Sequence, residues 1–398
     1  MNRHVMPLTL VSLMLLAPML LTIQPAEELD LLEPQESTRS TSNALLWGIS
    51  AGGSSSTDSI QGIAMDAQGR TYVCGFFYNT ANFGPITLSS YGSYDIFVGR
   101  ITNGNWDWVE KAGGTSSDQC QDIDVDDGGN ITITGYFYST ATFGSTSLSS
   151  TGSNDIFVSR LDTDGNWLWS TKAGGSSADY GYGVAVDNLG NAYITGAYYS
   201  SGTVYFGSYT LATYSYDEAF IAALDSSGQF TWAERMYGSG YQRGRDIDVN
   251  QNGDLVVTGE FSYRINIGGT EFSPSYQSTS YYRIFVAKFD TSGNYQWAQI
   301  AGYLQSSYSS YGEGVAIADN GDVAVAARFQ YLVDFHTNGN HRTYAYQQSS
   351  NWDCLVAKWD SNGNFVWSQV AGGSSSDYCY HIDMDGPSGN ITVSGMFY

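Results

Sequence analysis

An internal repeat of about sixty residues constrains the fold of this chain more than any other feature. A Trp followed four residues later by a small, Gly-containing tripeptide occurs six times, at Trp47, Trp108, Trp169, Trp232, Trp297 and Trp367. Successive Trp residues are 61, 61, 63, 65 and 70 positions apart. Units of this length are too long for leucine-rich or ankyrin repeats, so another repeat architecture is predicted.

Each unit predicts four short antiparallel strands. Apolar and polar residues alternate in segments such as 70–77 (RTYVCGFF) and 95–101 (DIFVGRI), which are rich in β-branched and aromatic residues. Turn sequences such as DNLGN and DTDGN separate the strands; their Asp caps the turn and their Gly adopts a positive φ. A recurring four-stranded sheet is a propeller blade. The predicted fold is all-β, a β-propeller of about six, or seven, four-stranded antiparallel blades with an incomplete last blade.

Three segments carry a family resemblance: GIAMDAQGRTYVCGFF, GVAVDNLGNAYITGAYY and DIFVSRLDTDGNWLWSTKAGG. They resemble the SBBP β-propeller repeat, which is found in exported and cell-surface proteins of bacteria and archaea. The resemblance covers about residues 47 to 398, with several motifs in a fixed order. It implies a propeller fold and an envelope or extracellular setting, but no particular activity or set of catalytic residues.

The chain divides into three predicted segments. Residues 1–26 predict a secretory signal peptide, because Arg3 and His4 precede an apolar run from about residue 7 to residue 23. An uncleaved membrane anchor is the alternative. Residues 27–42 predict an acidic, polar linker. Residues 43–398 predict the propeller domain, with units starting near residues 47, 108, 169, 232, 297 and 367.

The repeat is incomplete at the end of the chain. When the strands of a blade are counted outwards from the innermost, residues 43–53 predict a fourth strand, five complete units follow, and residues 381–398 supply the first two strands of a sixth. An open sheet edge would expose unpaired backbone groups. The sequence therefore predicts a fragment of a longer protein, for which seven or more blades are possible. The alternative is a naturally short last blade in a six-bladed ring.

The composition argues against one class of partner and gives few catalytic signals. There are 39 Asp and Glu against 16 Lys and Arg, a formal net charge of -23, and no basic stripe, so no nucleic-acid partner is predicted. Only four His occur, and the sequence contains no G-x-S-x-G, H-E-x-x-H or P-loop motif. The chain is therefore predicted not to be an enzyme.

The four cysteines, Cys74, Cys120, Cys354 and Cys379, form no CxxC motif, so neither a zinc site nor a thioredoxin-type site is predicted. They are either free or include one bridged pair. Cys120 and Cys379 share a repeat position but lie four repeats apart, so they are not expected to pair.

Five aspartates on the predicted innermost strands form a candidate metal site. Aligned units alternate between Gly or Ala and the residues Asp122, Asp124, Asp246, Asp248 and Asp383. A central channel would gather these carboxylates, and oxygen ligands suit calcium, the one cofactor that the sequence suggests. In the alternative, which is preferred, each Asp is structural and accepts hydrogen bonds from the backbone of the neighbouring blade, where Gly or Ala leaves room.

The function predicted from these features is a non-enzymatic, secreted or cell-surface scaffold for binding or adhesion to a protein or a glycan, without integral membrane insertion once the signal is removed. Tyr-rich segments at 90–95, 198–217, 273–283 and 305–314 are candidate contact loops, because Tyr offers rigid contact area with a hydrogen-bonding tip. The alternatives are an extracellular carbohydrate-active enzyme with Asp and Tyr at the propeller mouth, and a structural envelope component.

Overall fold

The structure is a computed structural model that describes most of the predicted propeller. The described residues are 2–3, 8–9, 48–53, 58–199, 202–213, 216–274, 280–302, 308–336, 342–346, 351–385 and 389–398; at 2–3, 8–9, 336 and 342–346 only the backbone is described. All regular elements in these ranges are β-strands, and the described residues include no helix long and apolar enough to cross a membrane. The predicted linker, Trp47 and most of the predicted signal peptide lie outside the described residues. Two short strands of the signal peptide are described, β1 (Asn2–Arg3) and β2 (Leu8–Thr9), and both pair with the first strand of the first blade.

Five groups of four consecutive antiparallel strands follow one another along the chain, which confirms the predicted blades, and strand pairs between neighbouring blades join some of these groups into larger sheets. A short strand, β3 (Ala51–Gly52), precedes them. Blade 1 contains β4 (Ser59–Met65), β5 (Thr71–Phe83), β6 (Ile86–Thr102) and β7 (Asn105–Gly114). Blade 2 contains β8 (Gln119–Val125), β9 (Ile131–Phe143), β10 (Thr146–Leu161) and β11 (Trp167–Gly174). Blade 3 contains β12 (Asp179–Val186), β13 (Ala192–Tyr198), the hairpin β14 (Thr203–Phe206) and β15 (Tyr209–Ala212), β16 (Glu218–Leu224) and β17 (Phe230–Met236).

Blade 4 contains β18 (Gln242–Val249), β19 (Asp254–Ser262), the hairpin β20 (Ile265–Ile267) and β21 (Thr270–Phe272), β22 (Tyr282–Asp290) and β23 (Tyr295–Gly302). Blade 5 contains β24 (Ser310–Ile317), β25 (Val323–Gln330), the hairpin β26 (Leu332–His336) and β27 (Arg342–Tyr346), β28 (Trp352–Trp359) and β29 (Phe365–Ala371). Blade 6 contains a first and a second strand, β30 (Tyr378–Met384) and β31 (Ile391–Met396).

An accessory hairpin lies between the second and third strands of each of the five blades, a feature that the four-strand prediction lacks. In blades 1 and 2 it is an extension of these two strands, and in blades 3 to 5 it is separate. Ala112, at the end of a fourth strand, pairs with Phe143 in the hairpin of the next blade, and Ala301 pairs with Phe335 in the same way. The tripeptide after the repeated Trp therefore joins one blade to the next.

The repeated Trp makes a second contact between blades. The indole Nε1 of Trp108 donates a hydrogen bond of 3.1 Å to the carbonyl oxygen of Thr163, in the turn between the third and fourth strands of blade 2. The indole also covers Gly165 of that turn, where a Cβ atom would lie 2.9 Å from the ring. The equivalent hydrogen bonds join Trp169 to Ser226, Trp232 to Thr291 and Trp297 to Ser361. The Trp recurs because each of these blades contacts its neighbour through it.

The apolar core lies between neighbouring sheets. One cluster of buried side chains combines Ala64 of blade 1 with Ile123 and Phe143 of blade 2, and similar clusters join the later blades. Phe143 is fully buried and contacts Phe157 and Trp167, with ring centroids 4.9 and 5.6 Å apart. Burying a side chain of this kind contributes about 1.5–3 kcal/mol.

One end of the sheets, which we call the turn end, carries the Asp-Gly turns. In one of these turns, Asp162 Oδ1 accepts the N–H groups of Asp164 and Asn166, both at 2.9 Å, and Gly165 has a φ of 87°. The predicted turn chemistry is confirmed. Burial by itself raises the pKa of Asp162, but the hydrogen bonds outweigh burial and hold the pKa below its usual value. The pKa values of Asp290 and Asp360 are lowered for the same reason.

Two disulfides connect neighbouring blades. Cys74 of blade 1 is bonded to Cys120 of blade 2, and Cys354 of blade 5 is bonded to Cys379 of blade 6, so none of the four cysteines is free. The structure contains one bridge more than the sequence predicted, because the packing of adjacent blades brings together residues that are 46 and 25 positions apart. Cys120 and Cys379 do not pair, as expected.

Candidate binding rim at the inner strands

At the end opposite the turn end, each first strand contains a β-bulge. In blade 3, Gly181 pairs with Gly196 and Gly183 pairs with Thr195, so Tyr182 is the extra residue between them. The six bulge residues are Gln61, Gln121, Tyr182, Arg245, Glu313 and Tyr380. All six side chains are half-buried. A bulge redirects a side chain, and bulges are frequent beside functional sites.

The bulge residues belong to a continuous surface that we call the rim. The first strands of successive blades lie side by side from β4 to β30, so their bulges follow one another. The rim also includes nearby side chains from the first, second and third strands and the segments next to them: Gln119, Tyr136, Tyr180, Tyr199, Arg243, Glu260, Tyr282, Tyr311, Arg328, Trp352 and Tyr378.

Tyrosine rings cover much of the rim. Tyr180 stacks on Tyr182, with ring centroids 5.9 Å apart and planes inclined by 4°, and Tyr136 meets Tyr180 edge-on at 4.8 Å. In blade 6, Tyr378 and Tyr380 stack at 6.0 Å. Burial raises the pKa of Tyr182 to about 12, so its hydroxyl group keeps its proton at neutral pH and can donate a hydrogen bond.

Charged side chains of opposite sign alternate along the rim. Arg243 Nη2 lies 2.7 Å from Asp217 Oδ2, which anchors the rim to blade 3. Arg245 donates two hydrogen bonds to Glu260, from Nε at 2.8 Å and from Nη2 at 2.6 Å. Glu260 Oε1 is also 4.0 Å from Arg243 Nη1, so the two pairs form one network.

Arg328 adds a third pair inside an aromatic cage. Its Nε lies 2.6 Å from Glu313 Oε1. Its guanidinium carbon lies 4.6 Å from the ring centroid of Tyr311, 5.4 Å from that of Trp352 and 5.9 Å from that of Tyr378. Three guanidinium groups therefore face three carboxyl groups, although the whole chain has a formal net charge of -23. Burial raises the pKa of Glu313, and the neighbouring Arg328 and Arg245 oppose this rise.

Residues from separate Tyr-rich segments of the sequence meet at the rim. Tyr282 of segment 273–283 stacks on Tyr311 of segment 305–314 at 5.2 Å, and Tyr199 of segment 198–217 meets Tyr180, which lies outside these segments, edge-on at 5.9 Å. The Tyr-rich segments, one of which includes Glu313, were predicted as contact loops, but the other charged residues of the rim, Arg243, Arg245, Glu260 and Arg328, were not. No sequence signal pointed to the charged residues, because equivalent positions hold a different residue type in almost every blade.

The predicted calcium ligands lie farther along the same strands. Asp122 Oδ2 accepts the N–H group of Val184 at 2.7 Å, and Asp124 Oδ2 accepts that of Val186 at 2.6 Å. Between blades 4 and 5 the same bonds join Asp246 to Val315 and Asp248 to Ile317, at 2.8 and 2.9 Å. Asp383 is half-buried at the matching position of β30. Blades 3 and 5 lie between these strands, so the carboxylates of blades 2, 4 and 6 are kept apart from one another.

The seams between first strands follow the two-blade alternation of the sequence. A Cβ atom on Gly183 would lie 3.0 Å from the Cα atom of Asp246, so glycine allows blades 3 and 4 to approach closely. Among the described side chains, no group of three or more His, Cys, Asp and Glu lies close enough to hold a metal ion. The calcium site stays a prediction, and an ion bound there would have to compete with the backbone donors.

Behind the rim, buried aspartates meet in pairs where blades join. A Cβ atom on Gly113, whose φ is 143°, would lie 2.8 Å from Asp95 Oδ1 and 3.1 Å from Asp118 Oδ2, so both carboxyl groups face this glycine. Asp118 also accepts the N–H groups of Gly114 and Tyr138, at 2.7 and 3.1 Å. Burial raises the pKa of Asp118 to about 7 and that of Asp95 to about 6.

Two other junctions repeat this arrangement. Burial and the nearby Asp155 raise the pKa of Asp179 to about 7, and burial and the nearby Asp377 raise the pKa of Asp353 to about 6. Blades 3 and 4 differ, because Asp217 there is paired with the rim residue Arg243. Three junctions therefore hold two carboxyl groups each, and the junction between blades 3 and 4 holds an ion pair instead.

Comparisons with known proteins agree with this architecture. Residues 168–197 match the family model of the beta-propeller repeat, SBBP. The matched segment runs from the fourth strand of blade 2 through the first strand of blade 3 into its second strand, so it includes the bulge at Tyr182.

A relative in a giant virus matches a longer part of the chain. The chain is 22% identical over 259 residues to the "Uncharacterized WD repeat-containing protein L264" of Acanthamoeba polyphaga mimivirus, and the match covers 56% of this chain and 19% of that protein. The match thus spans about a fifth of that relative's length, and WD repeats are themselves propeller blades. The protein is an all-β propeller that contains the SBBP beta-propeller repeat.

Proposed function

We propose that the chain is an exported, non-enzymatic propeller scaffold that binds a glycan or a protein at its rim. The observation that carries this proposal is the variation among the six bulge residues, which occupy equivalent positions yet include Gln, Tyr, Arg and Glu. The Trp, Gly and Asp residues that hold the blades together recur, because neighbouring blades make the same contacts. Side chains that vary on a shared framework are available for specific recognition, and Tyr and Trp supply rigid contact area there.

The two disulfides support export. Cys74 to Cys120 and Cys354 to Cys379 use all four cysteines of the chain. Structural disulfides persist in secreted and cell-surface proteins and are rare in a reducing cytosol. Together with the predicted signal peptide at residues 1–26, they favour a secreted or surface-attached protein.

A binding screen with rim variants tests the proposal. Wild-type protein and the double variant Tyr182→Ser, Trp352→Ser are applied to an array of glycans and of purified cell-surface proteins. Tyr205→Ser is the matched control, because Tyr205 is 53% exposed on the accessory hairpin of blade 3. We expect the rim variant to lose the main signal and the control to keep it; equal binding by all three would contradict a role for the rim. A parallel polysaccharide-hydrolysis screen should detect no turnover, and turnover would overturn the non-enzymatic assignment.

A further inference from the structure

We propose that the ligand of the rim is a neutral oligosaccharide. This inference rests on the proposed binding function and deepens it. Three properties of the rim carry it: its charges are paired internally, its ring faces and hydroxyl groups lie side by side, and the exposed aliphatic side chains lie elsewhere.

The charge pairing disfavours charged ligands. Arg243, Arg245 and Arg328 are each paired with a carboxylate, so an anionic ligand would have to displace that carboxylate and would also be repelled by the net charge of -23. A cation would meet carboxylates that the arginines already neutralise. The arginine side chains keep 24%, 25% and 29% of their surface exposed. A guanidinium group carries more N–H donors than an ion pair with one carboxylate uses, so these arginines can also bind a neutral acceptor such as a sugar hydroxyl group.

The aromatic side chains of the rim suit the apolar face of a sugar ring. Tyr182, Tyr311, Trp352 and Tyr380 are half-buried, so part of each ring is held by the protein while part remains accessible. A pyranose ring has an apolar C–H face that can pack on such a ring, and hydroxyl groups at its edge. Because Tyr182 stays protonated, its hydroxyl group can donate to or accept from those groups.

The distribution of aliphatic side chains favours a saccharide over a protein. Protein interfaces have an apolar core. The exposed large aliphatic side chains in the described part of the chain lie on fourth strands and in a turn: Leu168, Leu189, Val366 and Val370. The rim residues are aromatic, charged or amide side chains instead.

The test compares neutral and charged polysaccharides as probes. Dextran, mannan and galactan are the neutral probes, and alginate and heparin are the anionic probes, each titrated at about 0.05 and 0.5 M salt. We expect the protein to bind at least one neutral probe with little change between the two salt concentrations. Binding confined to the anionic probes, or binding lost at high salt, would overturn the proposal.

Single variants locate the binding. Tyr182→Ala and Trp352→Ala are expected to weaken binding of the neutral probe about tenfold, the loss that follows from removing one buried ring face. Tyr182→Phe keeps the ring, so it tests the hydroxyl group alone in a variant that should fold, and Tyr205→Ala is the control. Should no polysaccharide bind while a purified surface protein binds in a Tyr182-dependent way, the saccharide inference fails and the proposed function stands. Should no ligand of either class depend on the rim, both fail.

Discussion

The turn end and the rim of this propeller differ in what is repeated from blade to blade. At the turn end the same Asp and Gly positions recur, and Asp162, Asp290 and Asp360 each accept hydrogen bonds from the backbone of their turn. At the rim, equivalent bulge positions hold Tyr182, Arg245 or other residue types. Every blade must form the same tight turns, so the same Asp and Gly residues recur at the turn end. The rim positions make no contact that is the same in every blade, so their residues can differ and can determine which ligand binds.

The pKa values of buried carboxyl groups shift in opposite directions at the two ends. Hydrogen bonds from turn residues lower the pKa of Asp360, although burial opposes them. Near the rim, burial raises the pKa values of Asp118 and Asp179 to about 7. The turn end therefore contributes less to folding stability when the pH falls, and the junctions behind the rim contribute less when the pH rises toward neutrality.

The largest expected effect comes from removing a rim arginine that is also structural. Arg243→Met would leave the carboxylate of Asp217, which is almost fully buried, without its partner cation. Breaking a buried ion pair in this way costs about 3 kcal/mol, which urea denaturation at neutral pH would measure as a decrease in the free energy of unfolding. Arg264→Met is the matched control, because the Arg264–Glu271 pair is exposed and should contribute less than about 1 kcal/mol. Equal effects of the two variants would show that the rim network is not a buried one.

A turn-end variant should lower stability without affecting binding. Asp360→Ala removes the acceptor for the N–H groups of Asn362 and Asn364, both at 2.9 Å, and for the Asn364 side chain. The expected loss is about 1–2 kcal/mol of unfolding free energy, measured by the same denaturation experiment. Binding of the neutral polysaccharide should stay at the wild-type level. Loss of binding in a folded Asp360→Ala protein would contradict the division between the two ends.

The pH dependence of stability has two limbs with different origins. Folding raises the pKa values of Asp95 and Asp118 from 3.8, so their contribution to stability is complete below about pH 3.8 and is lost as the pH rises through 6 to 7. Folding lowers the pKa values of Asp162 and Asp360, so their contribution is present above about pH 3.8 and is lost as the pH falls. Denaturation from pH 3 to 8 should therefore show a maximum of stability near about pH 4 and a decrease from there to about pH 7.

The variant Asp95→Asn tests the upper limb. Asp95 Oδ1 is buried without a hydrogen-bond partner, so an amide group fits there and removes a negative charge that raises the pKa of Asp118. The decrease of stability between about pH 4 and 7 should become shallower by up to about 1.4 kcal/mol per pH unit for each extra proton that the folded protein no longer binds. Asp164→Asn is the control, since that side chain is 74% exposed. An unchanged slope in Asp95→Asn would assign the upper limb to other groups.

Calcium should have the smallest effect. Asp122, Asp124, Asp246 and Asp248 already accept backbone hydrogen bonds, so thermal melting in calcium, magnesium or chelator should give one melting temperature. The double variant Asp124→Asn, Asp248→Asn should be destabilised equally in all three conditions. An increase of about 2.7 kcal/mol at a hundredfold excess of calcium over its dissociation constant, lost in the double variant, would establish the predicted site.

The sequence predicted the turn end well because its residues act locally. Asp162 and Asn166 are four positions apart, so their turn chemistry is visible in the sequence. The Trp repeat was equally visible, but the partner of Trp108 is Thr163, which is 55 positions away in the next blade. The accessory hairpins correspond in the sequence to the recurring Phe-Gly pairs at Phe83 and Phe143, which the four-strand pattern does not include.

The rim could not be predicted in the same way. Arg245 pairs with Glu260 and Arg328 pairs with Glu313 across strands, and neither pair recurs in the other blades. The repeat pattern of the sequence therefore does not predict these ion pairs. The side chains of the rim come together in the structure because the first strands are adjacent and each contains a bulge. The Asp pairs behind it were missed for a related reason: Asp95 and Asp118 belong to different blades, and each looks like an ordinary residue at a strand start.

Hydrogen exchange with and without a bound polysaccharide tests the central claim most directly. The wild-type protein is measured alone and with the neutral polysaccharide that binds it most tightly. We predict slower exchange in the segments that carry the bulges, around Tyr182, Arg245, Glu313 and Tyr380, with no change in the Asp-Gly turns around Asp162 and Asp360. Protection centred on the turn end, or spread along the fourth strands with the rim unchanged, would contradict the assignment of the rim as the binding surface.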